Sequence, residues 1–561
     1  MTEPVRLHGV GVSAGVAVGP VTVMGGEVPE PPAGPAGEPA AEAAAARAAM
    51  EAVAADLEAR GQAAGGDARD VLAAQAMMVR DPGLADKVAA LAGEGLAAAR
   101  AAWEAFASYR ELLAAAGPYM AARVADLDDL RGRVVARLLG LPLPGVPDPG
   151  HPFVLVARDL APADTATLRP GRVLAFVTEE GGPTSHTAIL AKSIGVPAVV
   201  GCPGAAGLTE GARVIVDGGS GAVTVDPPEA AVREAEARAA ARRSARVGAA
   251  AGPGATADGH PVALLANVGR PADVEGALAA GAEGVGLFRT EFLFLERTDP
   301  PGVDEQAAAY AAVLGAFPAG AKVVLRTLDA GADKPLAFLP LGDEPNPALG
   351  QRGLRAVRLV PEVLAGQLEA IGRAAAGAAA ETWVMAPMVA TATEAAWFRE
   401  QAARQPVARA GVMVEVPAAA LLAEAVLAEA DFASIGTNDL AQYTYAADRL
   451  VGGLAGFQDP WQPAVLALVA RVGEAGRARG KPVGVCGEAA ADPLLAPVLV
   501  GLGVTSLSMA PPALADVRLV LSRQTLDDCR RLAGLALQAR DPDAARERVR
   551  EAAAGLDELG L

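Results

Sequence analysis

Short apolar runs alternate with helical stretches throughout residues 251–561, which is the most regular pattern in the chain. The runs lie at 262–267, 284–288, 322–326, 383–389, 411–416, 432–436, 482–486 and 505–509. Eight strands that alternate with helices predict a (β/α)8 barrel. An open, doubly wound sheet is the alternative that the same alternation permits.

The residue pattern of residues 1–250 changes three times. Residues 1–24 alternate small apolar residues with glycine, which predicts a short strand pair. Residues 25–144 begin with a Pro/Gly-rich break and are then rich in Ala, Leu, Glu and Arg, which predicts helices. Strand-like runs return in residues 145–227. Residues 228–250 predict one charged linker helix.

The prediction is therefore a multidomain α/β protein. Segments 1–24 and 145–227 form one α/β domain, which the helical segment 25–144 interrupts as an insert. The linker helix 228–250 leads to the barrel, which occupies residues 251–561.

Composition restricts the partners and the compartment. The formal net charge of −18 argues against nucleic acid and against an anionic membrane as the main partner. Cys202, Cys486 and Cys529 are far apart and odd in number, which indicates neither a disulfide framework nor a zinc site. We expect a reducing compartment and hence a cytoplasmic protein. The N-terminus lacks a basic region followed by an apolar run, so we expect no secretion signal.

Residues 493–515 carry no charge and are long enough to span a bilayer. Four prolines and two glycines interrupt them, among them Pro511, Pro512 and Gly503. These breakers favour a buried helix, a turn and a buried strand over a membrane span.

Polar residues stand at the ends of five predicted barrel strands, where active sites of such barrels lie. They are Arg289, Arg326, Glu415, Asn438, Asp439 and Cys486, with Arg449 shortly after the sixth strand. Any one of them alone is most simply a surface or ion-pair residue, but all of them together predict a site.

Two kinds of ligand fit these side chains. Glu415 and Asp439 are the oxygen ligands that Mg²⁺ prefers, and they leave room for substrate and water. Three arginines and an asparagine suit a phosphate and a carboxylate, because guanidinium groups bind both with paired hydrogen bonds. The sequence therefore predicts a site for a small, doubly anionic metabolite. A cysteine such as Cys486 is usually a buried bystander, although its thiol could donate a proton to an enolate.

His186 is one of only four histidines, and it follows the residues GGPTS at a turn that opens a predicted helix. A turn histidine that satisfies backbone groups is the simpler interpretation. Flexible backbone and hydroxyl groups at a helix N-terminus, however, suit a phosphate anion. A neutral imidazole can accept a phosphoryl group, which makes His186 a candidate phosphate carrier.

Five segments in chain order resemble motifs of the phosphoenolpyruvate-utilising enzymes. They are GGPTSHTAILAKSIGVPAVVG, GLFRTEFLF, MVEVPAAA, SIGTNDLAQYTYAADR and GVCGE. The resemblance implies that His186 accepts the phosphoryl group of phosphoenolpyruvate, that Mg²⁺ is the cofactor, and that Cys486 protonates the enolate to give pyruvate.

The resemblance also assigns the remaining site residues. Those that would hold the substrate are Arg289, Arg326, Asn438, Asp439 and Arg449. Glu415 and Asp439 would bind Mg²⁺. Thr165, in DTATL, matches a threonine that hydrogen-bonds the histidine in the family.

Within the family, the chain is most similar to members that start bacterial phosphoenolpyruvate-dependent sugar phosphotransfer. AAQAMMVRDPGLADKV and ADLDDLRGRVVARLLG resemble helices of their docking domain for the phosphocarrier protein HPr. Such members dimerise through the barrel, so a homodimer is implied. Two alternatives stay open: an enzyme like pyruvate phosphate dikinase or phosphoenolpyruvate synthase, and a non-catalytic regulatory relative.

Overall fold

The computed structural model describes most of the chain, which forms two compact units. One comes from most of residues 1–235, and the other from residues 236–561 with the short segments Gly182–Ser185 and Lys192–Gly195. The described residues are 5–24, 28–33, 37–64, 72, 75–115, 124–141, 143–147, 149–160, 171–182, 185–249, 252–295, 297–331, 336–342, 344–449, 452–553 and 555.

An eight-stranded mixed sheet forms the centre of the first unit. Its strands are β1 (Arg6–His8), β2 (Val10–Ser13), β3 (Val16–Val23), β4 (Phe153–Ala157), β5 (Val173–Thr178), β6 (Ala198–Val200), β7 (Arg213–Asp217) and β8 (Ala222–Val225). Their order is β1-β8-β7-β3-β4-β5-β6-β2, with β3 to β6 parallel.

Residues 6–23 form three strands rather than the predicted pair, and Gly9 is the reason. β1 pairs with β8 at one edge of the sheet, whereas β2 pairs with β6 at the other. The Gly9 amide donates to Gly221 O at 2.9 Å, and a Cβ on Gly9 would be 2.6 Å from Val200 O. The two edges approach each other here, so the chain changes partner at a residue without a side chain.

Helices follow β3 within the same unit, where the sequence predicts the helical insert. Those described are Pro39–Ala64, Pro82–Gly93, Ala98–Ala115 and Val124–Leu139. Their buried faces form a separate core, dominated by alanine and including Leu57, Leu84 and Phe106. The second helix begins where the Asp81 side chain accepts a hydrogen bond from Leu84 N.

Two further helices follow the returning strands. The helix His186–Ile194 lies between β5 and β6 in the sequence. The helix Glu229–Ala249 occupies the position of the predicted linker helix. The domain limits themselves stay a prediction.

A closed barrel of eight parallel strands forms the second unit, as the apolar runs predict. The strands are β9 (Ala263–Val268), β10 (Val285–Arg289), β11 (Lys322–Arg326), β12 (Glu381–Ala386), β13 (Arg409–Val414), β14 (Ala433–Ile435), β15 (Val483–Val485) and β16 (Ser506–Met509). Because β16 pairs with β9, the barrel is closed and the open-sheet alternative is wrong.

Helices surround the barrel and bury its outer face. Those described are Asp273–Ala279, Val303–Leu314, Leu354–Val357, Pro361–Ala376, Ala392–Ala402, Pro417–Leu421, Ala423–Glu429, Thr437–Tyr445, Pro463–Arg479, Leu495–Gly501, Leu514–Leu521, Leu526–Leu537 and Pro542–Ala552. No helix in the described part of the chain is long and apolar enough to cross a membrane. The uncharged segment 493–515 instead contributes a short helix and β16.

Large apolar side chains fill the inside of the barrel. This inner cluster consists of Leu287, Val324, Trp383, Met385, Met413, Phe432 and Cys486. The rings of Trp383 and Phe432 lie 4.8 Å apart between centroids. The barrel is therefore packed below its mouth, as small barrels are.

Two glycines on the surrounding helices offer a matched test of how tightly these helices pack. A Cβ on Gly473 would be 2.1 Å from Leu502 O, whereas a Cβ on Gly534 would meet nothing within 4 Å. We expect Gly473→Ala to destabilise the barrel by about 1–3 kcal/mol through overpacking. Gly534→Ala should stabilise it by up to about 1 kcal/mol through helix propensity. Thermal unfolding midpoints measure both, and shifts of the same sign would contradict this account.

Candidate active site

The functional side chains continue the inward-facing rows of the barrel strands. Side chains of a strand alternate between its two faces, so residues two apart point to the same side. Arg289 follows inward Leu287 by two positions, and Arg326 follows Val324 in the same way. Glu415 likewise lies two residues after Met413. The site is therefore the next layer of the inner cluster, with charged residues in place of apolar ones.

Buried arginines and carboxylates alternate across the barrel mouth. Arg326 is 8% exposed and pairs with Glu291, and its Nη1 lies 3.1 Å from Asp329 Oδ2. The next guanidinium, Arg352, donates to Asp329 Oδ1 at 3.2 Å and to Asp439 Oδ1 at 2.9 Å.

The row ends at Arg449, whose Nη1 lies 3.5 Å from Asp439 Oδ2. Arg352 and Asp329 are each almost completely buried. A buried charge is tolerated only when it is paired and hydrogen-bonded. We call the row Glu291–Arg326–Asp329–Arg352–Asp439–Arg449 the charge chain.

Glu415 lies beside the charge chain, in a buried position that disfavours its charged form. Its side chain is 1% exposed, and its Oε1 accepts a hydrogen bond from Met388 N at 2.6 Å. Burial, together with the nearby charges of Asp439 and Asp329, raises the pKa of Glu415 to about 8. A Cβ on Gly436 would be 2.9 Å from Glu415 Oε2, so a larger residue here would displace the Glu415 carboxylate.

A divalent cation fits this arrangement. It would neutralise the repulsion between buried carboxylates that raises the Glu415 pKa, and carboxylate oxygens are its preferred ligands. Among the residues that the structure describes, no group of three or more His, Cys, Asp or Glu side chains is arranged to hold a metal. Two protein carboxylates would therefore leave other coordination positions to substrate and water.

Asn438 and Cys486 lie at neighbouring strand ends. Asn438 follows β14, and its Oδ1 accepts from Glu488 N at 3.1 Å. Cys486 follows β15 and is buried, with its Sγ 3.6 Å from Ile435 O. Burial raises the pKa of the Cys486 thiol, although Ser434 and Arg326 oppose this. The thiol is therefore protonated at neutral pH.

His186 belongs to the first unit and is the first residue of the helix His186–Ile194. Thr187 beside it is fully buried, and its Oγ1 lies 3.4 Å from Asp159 Oδ1. Ser185 N donates to Gly182 O at 2.9 Å in the preceding turn. Thr165, which the resemblance pairs with the histidine, lies outside the described residues.

The sequence pattern indicates Arg326, Asp439 and Arg449 but not the other three members of the charge chain. Asp329 could have been found, since it follows Arg326 by three residues on the same strand end. Glu291 could have been found too, since it follows Arg289 by two residues, just after β10. Arg352 stands in a loop 26 residues after Arg326, at a spacing that no local pattern relates to the site.

The family of the chain follows from comparison with known proteins. Three models of the PEP-utilising enzymes match it: the PEP-binding domain over residues 244–526, the mobile domain over 149–221 and the N-terminal part over 8–123. The first alone spans half of the chain. The chain therefore belongs to the phosphoenolpyruvate-utilising enzymes, which confirms the resemblance drawn from its motifs.

Three similar proteins within this family share one name. A phosphoenolpyruvate-protein phosphotransferase of Streptomyces coelicolor is 58% identical over 96% of this chain and 98% of its own length. The protein of the same name from Geobacillus stearothermophilus is 42% identical over 74% of each chain. One from Haloferax volcanii is 41% identical over 84% of each chain.

Because Arg352 is paired with two buried carboxylates, we expect the stability of the barrel to depend strongly on this arginine. Arg352→Met keeps the length of the side chain but leaves Asp329 and Asp439 with less compensation in a buried site. We expect it to lower the free energy of unfolding of the barrel by about 3 kcal/mol. Thermal and urea unfolding, monitored by circular dichroism, measure the loss.

Arg373→Met is the matched control. Arg373 also contacts two carboxylates, Asp304 and Glu369, but its side chain is 52% exposed. Its loss should cost less than about 1 kcal/mol, because solvent screens such pairs. Equal losses in the two variants would show that burial does not govern the charge chain.

Proposed function

We propose that the chain acts as a phosphoenolpyruvate-protein phosphotransferase. It takes the phosphoryl group of phosphoenolpyruvate onto His186, releases pyruvate, and passes the group to the phosphocarrier protein HPr. This is the first step of phosphotransferase-system sugar uptake. The observation that carries the proposal is the layer of arginines and carboxylates at the mouth of a closed barrel, combined with a histidine that opens a helix in a separate unit.

The arginines recognise the two anionic ends of the substrate. Arg289 and Arg326 are paired in the register of β10 and β11, and we assign both guanidinium groups to one phosphate. Asn438 and Arg449 come from the next part of the mouth and bind the carboxylate. Because the inner cluster closes the barrel below, water reaches the substrate only from the mouth.

Glu415 and Asp439 would hold the cofactor, for which we propose Mg²⁺. When bound, the ion supplies positive charge to the oxygens of the substrate and to the negative charge that develops on the enolate. The protein residues orient the ligand set: Met388 N fixes Glu415, and Arg352 fixes Asp439.

The reaction balances as one phosphoryl transfer and one proton transfer. A nitrogen of His186 forms a bond to phosphorus as the bond from phosphorus to the enol oxygen breaks. The enolate of pyruvate remains. Cys486 then donates its thiol proton to the methylene carbon, and the thiolate regains a proton from solvent. The raised pKa of the buried thiol keeps this proton available at neutral pH.

The helical insert is the proposed docking site for HPr. Two large apolar side chains on it are open to solvent, Met77 at 69% and Leu112 at 64% exposure. Exposed apolar groups of this size support an interaction surface. We place the protein in the cytoplasm, in keeping with its three free buried cysteines.

We also propose a homodimer through the barrel unit. Four leucines of this unit are more than half exposed, namely Leu349, Leu359, Leu421 and Leu422. Burial of such side chains against a second copy would stabilise a dimer. The molar mass in solution, compared with 56.1 kDa for one chain, decides between the two states.

His186→Ala should abolish phosphorylation by phosphoenolpyruvate. The protein is incubated with labelled phosphoenolpyruvate and Mg²⁺, with and without ATP, and then treated with acid or base. Wild type should take up label without ATP, and the label should be acid-labile and base-stable. A requirement for ATP would instead support the dikinase alternative. Absence of label from wild type would support a non-catalytic relative.

His151→Ala is the control for that experiment, because His151 is an exposed histidine of the same unit. It should retain label, since it stands in a different part of the chain from the phosphohistidine motif. Label retained by His186→Ala would remove the assignment of the phosphate carrier.

Arg289→Lys should lower kcat/KM for phosphoenolpyruvate by on the order of 10²-fold, because lysine keeps the charge but loses the planar two-point contact. Arg297→Lys is the matched control, since Arg297 pairs with Glu305 on the exposed surface. Steady-state kinetics of both variants measure the difference. Wild-type kinetics in Arg289→Lys would mean that this arginine does not bind the substrate through paired hydrogen bonds.

A further inference from the structure

A buried hydrogen-bond network lies behind the two proposed phosphate arginines, and the mechanism above does not use it. At its centre is Gln367, on the helix Pro361–Ala376, with 0% exposure. The helix packs against the outside of the barrel and contacts the helix Val303–Leu314. Gln367 therefore cannot touch a substrate inside the barrel mouth.

Gln367 joins the ends of the two strands that carry the arginines. Its Nε2 donates to Thr290 Oγ1 at 3.0 Å, next in sequence to Arg289. Its Oε1 accepts from Leu328 N at 2.9 Å, two residues after Arg326. The Thr290 hydroxyl in turn donates to Arg326 O at 2.8 Å. One amide and one hydroxyl thus connect both strand ends.

The direction of every proton in this network is fixed. A backbone N–H can only donate, so the oxygen of the Gln367 amide must face Leu328 N and its nitrogen must face Thr290. The second amide proton goes to Tyr310 OH at 3.2 Å. Tyr310 OH then donates to Gln306 Oε1 at 3.0 Å.

The network ends where Gln306 Nε2 donates to Pro301 O at 2.8 Å. Thr290, Tyr310 and Gln306 are also buried. A fully satisfied buried network is rigid, whereas loss of one member leaves buried partners unpaired. Such a network holds its attached backbone in one position.

We propose that Gln367 is a positioning residue that sets the spacing between Arg289 and Arg326. The inference rests on the proposed function, because it assumes that these two arginines share one phosphate. Binding of one phosphate by two guanidinium groups depends on the distance and angle between them, so displacement of either strand end weakens the hydrogen bonds that hold the phosphate. The outer helix thereby controls affinity for the phosphoryl end of the substrate.

Three variants and one control test the proposal. Gln367→Leu removes both arms of the amide, and Thr290→Val removes the hydroxyl with little change of shape. Gln367→Glu keeps the acceptor for Leu328 N but cannot donate to Thr290, and it retains the size of the side chain if the leucine variant fails to fold. Gln524→Leu is the control, because Gln524 is as buried as Gln367 but lies elsewhere in the barrel unit, just before the helix Leu526–Leu537. Its backbone oxygen accepts a hydrogen bond from Ala257 N, which precedes β9.

The measurement is steady-state KM and kcat with phosphoenolpyruvate, beside a melting curve of each variant. We expect KM to rise at least about tenfold in each Gln367 variant and in Thr290→Val, with a smaller change in kcat. A merely structural role would reduce the fraction of folded enzyme, which lowers apparent kcat and leaves KM unchanged. Gln524→Leu should behave in that second way.

The combined variant Gln367→Leu with Thr290→Val should raise KM by less than the product of the single effects, since both remove the same link. Unchanged KM in the single variants, in an enzyme whose wild type takes phosphate from phosphoenolpyruvate, would overturn the inference alone. A wild type that takes no phosphate would overturn the proposed function instead. In that case a crystal structure of Gln367→Glu decides: unshifted ends of β10 and β11 refute the positioning role, and displaced ends support it.

Discussion

Compensation of buried charge governs the mouth of this barrel. Six charged side chains alternate in sign across it, and burial makes all of them except the exposed Arg449 depend on their neighbours. In water such pairs contribute little, whereas in a buried site an unpaired charge is strongly unfavourable. The charge chain therefore fixes where each arginine points before any substrate arrives. Burial and the charges of Asp439 and Asp329 disfavour the charged form of Glu415, so a cation beside it would be favourable.

Preorganisation at the mouth depends on three successive layers. The apolar inner cluster closes the floor, the charge chain forms the binding layer, and the Gln367 network supports two strand ends from outside. Each layer uses a different interaction: dispersion contacts, ion pairs and neutral hydrogen bonds. The arginines can thus stay rigid without a direct ligand, which is what catalysis by fixed charges requires.

The sequence predicted the barrel well because its strands are short apolar runs that helices separate, a local signal. Strand-end residues such as Arg326 and Cys486 were found because chain position alone places them at one face. Arg352 and Gln367 were not found, since a loop and an outer helix bring them to the site through tertiary packing. The N-terminal pattern predicts two strands where the structure has three, because the change of partner at Gly9 depends on β6 and β8, far along the chain.

The alternation of faces along the strands also limits how the gene can change. Deletion of one residue within β11 would turn Arg326 outward and Val324 away from the inner cluster, so floor and binding layer would fail together. A change of length in a loop or helix does not reverse the faces of a strand, so these segments can lengthen or shorten at a small cost in stability. The site residues at the strand ends therefore fix the lengths of the barrel strands. Insertions and deletions in this architecture are expected in the loops and helices between the strands.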